Sequence, residues 1–373
     1  MISLAHHWLI SERGGEKVLQ SFSKLFPDAP IYTLLAIKDR SVFGDWLDGR
    51  RIVTSLLQCF PGATRHYKKF LPFFPVAVSR LKVSSEDQLI LSSDASVIKG
   101  LKIPVDSVHV CYCHSPPRYL WSMQETYLKQ SSGLGFIGRN VFKAVTPYVK
   151  SFDLKSAIGV DHFIANSFFV AERIKQCYGR QASVIYPPVS LDDFIFSEQK
   201  EDFYLVVSEL VPYKRIDLAV EAFSRNGKRL VVIGEGSERK SLEERAANNV
   251  EFLGRQPFSV LRESYSKCRA FIFPGIEDFG ITPLEAQASG SPVIAYGEGG
   301  ALETVIDGKT GLFFQEQTVE ALITAVEAFE KQTLNSLEMR KNAERFSQDR
   351  FCREIKAFLH DVAPEVMRAT EGR

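Results

Sequence analysis

Short, wholly apolar runs separated by amphipathic stretches recur from one end of this chain to the other, and few folds accept that pattern. A strand that alternates apolar and polar residues has one wet face. A strand that is apolar throughout is buried on both faces, which is the signature of a parallel sheet covered by helices. Parallel neighbours need a crossover, and the amphipathic stretches supply it. Leu4 to His6 reads as the first strand and Arg13 to Phe26 as a turn and helix. Gln88 to Ser92, Ser107 to Tyr112 and His162 to Asn166 read as further strands, with Ser167 capping the helix after the last. The class is therefore α/β, and the first half is doubly wound.

The pattern breaks once. Tyr186-Pro-Pro-Val-Ser-Leu-Asp-Asp-Phe194 is held extended by its prolines, and the polar Ser197 to Asp202 that follows reads as an interdomain linker. The 373 residues leave room for two domains of ordinary size. Beyond the break, Phe203 to Ser208, Arg229 to Ile233, Phe271 to Phe273 and Pro292 to Ala295 read as strands and Ile216 to Arg225 as an amphipathic helix, a second Rossmann-like half. The expected division is 1–186, 187–350 and a C-terminal helix and tail at 351–373, the helix lying at Phe351 to Val362.

Composition removes several function classes. Lysine plus arginine number 46 against 45 for aspartate plus glutamate, so no overall field recruits nucleic acid and any anion site is local. No apolar run approaches the roughly 18 residues that span a bilayer, and the first residues lack a secretory signal pattern, so the chain reads as cytoplasmic. The cysteines, among them Cys111 and Cys113 on one predicted strand face, have neither C-x-x-C spacing nor a disulfide pattern and read as core thiols. No metal ligand set stands out.

The most informative motif is Phe271-Ile-Phe-Pro-Gly-Ile-Glu277-Asp-Phe-Gly280-Ile-Thr-Pro-Leu-Glu285-Ala-Gln-Ala288. It places two carboxylates on either side of a turn that opens a helix over Leu284 to Ser289, with Pro283 in its first turn. Free amides at a helix start hold phosphate, and carboxylates accept hydrogen bonds from sugar and ribose hydroxyls. A loop glutamate in solvent and a helix glutamate in a surface ion pair would read the same way from sequence.

Other stretches carry weaker signals. Arg13-Gly14-Gly15-Glu-Lys17 follows the first strand and opens a helix, where glycines let backbone lie against an anion. Gly234-Glu-Gly-Ser-Glu-Arg239 lacks the third glycine of a dinucleotide fingerprint, which argues against a dehydrogenase. His114 sits at the carboxyl end of a strand, where open α/β sheets bind ligands. Lys214 and Arg215 lie in a strand-to-helix turn, placed to neutralise a diphosphate leaving group. Arg65 to Val78 mixes cations with aromatics, as a membrane-surface segment does and as a helix packed inward also does.

In their order these motifs resemble the retaining GT-B glycosyltransferases of glycosyltransferase family 4, in particular bacterial O-antigen and exopolysaccharide mannosyltransferases. The resemblance also takes in Val160-Asp-His-Phe-Ile-Ala-Asn-Ser167 and Ala286-Gln-Ala-Ser-Gly-Ser-Pro-Val-Ile-Ala295. It implies two Rossmann-like domains facing across a cleft, with the C-terminal helix crossing back to the first. Glu277 is then expected to face the transferred hexose and Glu285 the ribose. Gly14, Gly15, Phe279, Gly280, Ile281 and Thr282 would lend backbone to the donor, Lys214 and Arg215 charge to its diphosphate, and His114 a contact to the donor sugar. The implied catalytic set is His114, Glu277 and Lys214, without cofactor or metal. The expected donor is GDP-mannose and the expected acceptor a lipid-linked glycan at the cytoplasmic membrane face. Two departures stand out: the family commonly has aspartate at the position of His7, and usually arginine at that of Glu209. A UDP-sugar enzyme of the same fold would share every motif, and a catalytically silent glycan- or nucleotide-binding partner subunit would suit Glu209.

Overall fold

The computed structural model describes residues 1–125 and 135–371, and the chain divides into two compact units, Met1–Pro188 with Asp349–Arg373, and Val189–Gln348. The first contains a seven-stranded parallel sheet of β1 (Ile2–His6), β2 (Ile31–Thr33), β3 (Ile52–Thr54), β4 (Leu89–Asp94), β5 (Val108–Cys113), β6 (His162–Ala165) and β7 (Ala182–Val184), in the order β3-β2-β1-β4-β5-β6-β7. Side chains on these strands go alternately to the two faces. Ile2 and Leu4 of β1, Leu89 and Leu91 of β4 and Val110 and Tyr112 of β5 join one core. Ala5 and Ile90 join the core on the other face, while Cys111 and Cys113 pack with Phe163 and Ala165. Both thiols are buried, which pushes them up, Cys111 to about 12, so they are inert core groups.

The first core is closed by two helices. Gly14–Leu25 contributes Val18, Leu19 and Phe22, and Gln348–Val362 contributes Phe351, Ile355 and Leu359, with Phe22 stacked on Phe351. The C-terminal segment thus folds into the first unit and continues as a further helix, Pro364–Glu371, whose Met367 reaches the same core.

The second unit holds a six-stranded parallel sheet of β8 (Tyr204–Val207), β9 (Leu230–Ile233), β10 (Val250–Gly254), β11 (Ala270–Phe273), β12 (Val293–Tyr296) and β13 (Gly311–Phe314), in the order β10-β9-β8-β11-β12-β13. The helices Ile216–Asn226 and Val319–Glu330 cover one face through Ala219, Phe223, Leu322 and Val326.

Strands β2, β3, β7, β10 and β13 do not stand out in the sequence pattern. β2, β3 and β7 have only three residues each, and β10 and β13 are the edge strands of their sheet, with β10 interrupted by the polar Glu251. The polar stretch 197–202 is a correction. It is not a free linker but belongs to the second unit: Ser197 donates its amide to Ser289 O, Glu201 to Lys267 O, and Lys200 Nζ to Ser266 O and Ser291 Oγ. The segment is held through its backbone amides and Lys200, while the side chains of Glu198, Gln199, Glu201 and Asp202 are exposed, which is why it reads as polar.

Candidate active site

In each sheet the strand order reverses at one place, between β1 and β4 in the first and between β8 and β11 in the second. Crossovers leave such a switch point in opposite directions, so the carboxyl ends of its two strands open onto a crevice where α/β proteins bind ligands. The residues singled out by sequence collect at these two places.

In the second unit the loop after β8 carries Lys214 and the loop after β11 carries Glu277, and the two side chains form an ion pair. Their approach depends on Gly275, because a Cβ there would come within 2.7 Å of Lys214 O and 2.9 Å of Lys214 Cα. Ser208, Phe273 and Pro274 complete a small pocket around the pair. Glu277 is 9% exposed, so this carboxylate sits in a site of low dielectric where charge interactions are strong. Arg215 has φ 54°, the one positive φ at a non-glycine position among the described residues, and such conformations persist where surrounding structure imposes them. Its guanidinium lies 3.1 Å from Asp217 and also donates to Gln317 Oε1, while Gln317 Nε2 donates to Pro274 O. Gln317 thereby ties the arginine to the Glu277 loop, a role its sequence surroundings do not signal.

The helix after Glu277 is Ile281–Ala288, with Gly280 at φ 87° as its cap. It begins three residues earlier than Leu284. The amides of its first turn have no acceptor within the helix and point along its axis, which makes Gly280, Ile281 and Thr282 a start able to receive an anion. Phe279 turns inward and packs on Phe346, so its side chain belongs to the core. Glu285 lies one turn along, where Tyr265 Oη donates to its Oε2 at 3.0 Å. Burial and the neighbouring Glu285 keep the phenol protonated, pushing it well above its usual range, so Tyr265 remains a donor that orients the carboxylate. Glu209 is exposed, on the loop after β8.

In the first unit, Gly14 and Gly15 form the first turn of the helix Gly14–Leu25, where Glu16 Oε2 accepts from the Arg13 amide at 2.9 Å. Gly15 faces imidazoles: a Cβ there would lie 3.4 Å from His6 Cε1 and 3.5 Å from His114 Nε2. His114 follows β5, donates its amide to Asp94 O at 2.8 Å and places Nε2 2.7 Å from Ser93 Oγ. Burial first, and then the neighbouring His6, push its pKa down to about 4, so the ring is neutral at physiological pH. Ser93 Oγ also lies 3.1 Å from His6 Nδ1, and His6 Nε2 lies 3.5 Å from Glu16 Oε1. The sequence reading passes over His6, Glu16 and Ser93; the visible signal is the run Ser92-Ser93-Asp94, polar residues buried at the end of an apolar strand.

Residues 191–346 match the family model of glycosyl transferases group 1. The chain is 32% identical over 145 residues to the O-antigen chain mannosyltransferase RfbU of Salmonella typhimurium, covering 36% of this chain and 41% of that protein. It is 29% identical over 221 residues to a GDP-mannose-dependent phosphatidylinositol monomannoside mannosyltransferase of Mycobacterium tuberculosis, covering 51% and 57%. The chain thus spans well under two thirds of either relative. Among solved structures, Anabaena HepE in complex with UDP-glucose superposes with a TM-score of 0.68 at 18% identity, covering 97% of this chain and all of that one. The Glu277 pocket and the helix start at Ile281 lie inside the matched segment, so residues 191–346 are similar to group 1 glycosyltransferases, within a chain that has the two-sheet fold of GT-B glycosyltransferases.

Proposed function

We propose that the protein is a retaining hexosyltransferase of family 4 type that moves mannose from GDP-mannose onto a growing lipid-linked glycan at the cytoplasmic face of a bacterial membrane. The observation that carries this reading is the Lys214–Glu277 pair beside the helix start at Ile281, at the switch point of the second sheet. A cation, a carboxylate and converging amides are what a sugar diphosphate offers partners to. Lys214 and the first-turn amides take up the negative charge that grows on the departing diphosphate, and Arg215 adds to it. Glu277 accepts from a hydroxyl of the hexose, and Glu285, oriented by Tyr265, accepts from the ribose. Gly14 and Gly15 let backbone approach the donor, and His114, neutral and held by Ser93, contacts the transferred sugar.

No protein nucleophile is assigned. The acceptor attacks from the face the diphosphate leaves, and a phosphate oxygen takes its proton, so the protein's part is positioning and electrostatics. The diphosphate is met by protein cations and amides, without a metal. The relatives named as mannosyltransferases favour mannose, and the name of the mycobacterial protein favours GDP-mannose and a lipid acceptor. Exposed Glu209, in place of a cation, favours a second reading, a silent donor-binding subunit.

The test is release of nucleotide diphosphate from GDP-mannose and a panel of UDP sugars, with and without lipid-linked acceptor, for the wild type and Glu277→Ala. Release from GDP-mannose that the variant loses supports the proposal. Release from a UDP sugar alone overturns the donor, and donor binding without release from any sugar overturns the transferase reading.

A further inference from the structure

In the first unit, at the carboxyl end of β1, His6, His7 and Glu16 each bring one ligand-type atom to within 4.8 Å of the others, and all three are buried, at 0, 6 and 3% exposure. His6 Nε2 makes no hydrogen bond, although it is buried, and it points at Glu16 Oε1. We propose that these three residues bind one divalent transition-metal ion of the zinc class, leaving its fourth position open.

The separation suits the ion. Two ligands on a tetrahedral zinc, each about 2.0–2.1 Å from it, lie roughly 3.3–3.4 Å apart; His6 Nε2 and Glu16 Oε1 are 3.5 Å apart. A direct hydrogen bond at that distance would be weak. Each residue is also anchored through its other polar atom, which is how proteins orient metal ligands. His7 Nδ1 faces Ser93 O at 3.4 Å; a carbonyl only accepts, so this long contact favours the tautomer with the proton on Nδ1, in which Nε2 keeps its lone pair. Ser93 Oγ lies 3.1 Å from His6 Nδ1 and 2.7 Å from His114 Nε2 and has one proton to give; with that proton on the His114 contact, His6 Nδ1 donates to the hydroxyl and His6 Nε2 keeps its lone pair. Glu16 Oε2 is engaged by the Arg13 amide, which leaves Oε1. Ser93 therefore supports both imidazoles, one through its hydroxyl and one through its carbonyl. Two imidazoles and a carboxylate select zinc, or cobalt in its place, over magnesium or calcium, which prefer all-oxygen sites. The site uses none of the residues assigned to the diphosphate, and it stands whatever the donor proves to be.

The experiment strips the protein with a chelator and titrates it with Zn(II) against a chromophoric competitor, and separately with Co(II), read by visible absorption. The expected result is one bound ion, intense cobalt bands of a low-coordinate site, and affinity lowered at least about tenfold in His7→Phe and in Glu16→Gln. X-ray absorption of the zinc-loaded wild type is expected to show two imidazole ligands and an oxygen, a reading that requires no variant to fold. Binding weaker than that of the competitor, an affinity unchanged in both variants, or a coordination shell without two imidazoles would each overturn the proposal.

Discussion

Lys214 and Glu277 form an ion pair that joins the loop after β8 to the loop after β11, across the one place where the second sheet reverses its order. The two residues proposed to serve leaving group and sugar therefore also hold each other, and a single substitution removes one charge and leaves its partner's largely buried. Lys214→Ala is expected to lower turnover by roughly 100-fold or more and to cost about 1–3 kcal/mol of stability. Glu277→Gln keeps the shape and is expected to lower turnover with a smaller stability loss. A double-mutant cycle measured by urea unfolding should give a coupling of about 0.5–3 kcal/mol. Additive stabilities would mean that the contact contributes nothing, and unchanged turnover in both variants would remove these residues from the mechanism.

Glu209 is exposed, so exchanging it is expected to leave stability within about 0.5 kcal/mol. Two unit charges about 4 Å apart at an effective dielectric near 20 interact by roughly 4 kcal/mol, so the sign of this side chain matters if it faces the diphosphate. Glu209→Arg is expected to raise release of nucleotide diphosphate or tighten donor binding. A variant that matches wild type in both would show that the carboxylate lies outside the donor's field, and that the departure from the family pattern has no chemical consequence.

The strands at the centre of each sheet were legible because burial on both faces makes them unbroken apolar runs. Their ends were not. β4 reads from sequence as stopping at Ser92, yet it continues to Asp94 because the hydroxyls of Ser92 and Ser93 are satisfied by His109, His6 and His114 and need no water. The places of Lys214, Glu277 and Gly280 in loops and of Glu285 in the following helix were legible from their spacing from strand and helix signals. Gln317 and Tyr265 were not, since they reach the site from 102 and 20 residues away from their partners, through tertiary packing that leaves no local pattern. His6, His7 and Glu16 illustrate the same limit: a helix crossing back over a strand end brings them together.

His109 gives the fold an acid-sensitive point. It is buried on β5, with Nε2 2.8 Å from Ser92 Oγ and its amide donated to Asp161 Oδ2. Burial pushes its pKa from 6.5 to about 4, against the opposing pull of Asp161. A depressed histidine is neutral in the fold while the unfolded chain takes up a proton, so its share of stability is intact above about pH 6.5 and is lost as pH falls toward 4. That share is on the order of 3 kcal/mol at most. Urea midpoints compared across this window should fall more steeply for wild type than for His109→Gln; parallel slopes would show that His109 is not the titrating group.

Lys99 is buried between two carboxylates, 3.3 Å from Asp94 and closer still to Asp153, and also donates to Ser96 O. Asp153 in turn accepts from Trp121 Nε1 and Tyr178 Oη. Removing the cation leaves two buried negative charges, so Lys99→Met is expected to cost about 3–5 kcal/mol. Adding Asp153→Asn should recover part of that loss, because it removes one of the uncompensated charges. A loss below about 1 kcal/mol in chemical denaturation would mean that water reaches the network.

The segment around Arg65 to Val78 divides its residues between the two roles that its sequence allowed. Leu71, Phe74, Ala77 and Val78 are buried and join a core, whereas Phe73 is 58% exposed and Phe60 54%. Leu56 and Val76 are also exposed, and Arg65, Lys68 and Lys69 lie exposed among them. Among the described residues no helix is long and apolar enough to cross a membrane. Apolar side chains interleaved with cations bind anionic bilayers by inserting the former and pairing the latter, each cation contributing about 1 kcal/mol near the surface. Sedimentation with phosphatidylglycerol-containing vesicles is expected to carry the protein down at low salt, less so at high salt, and not with phosphatidylcholine alone. Phe60→Ser with Phe73→Ser should weaken the association at unchanged stability, since both rings are exposed. Binding that ignores lipid charge, or that survives the double substitution, would place the membrane contact elsewhere on the chain or remove it.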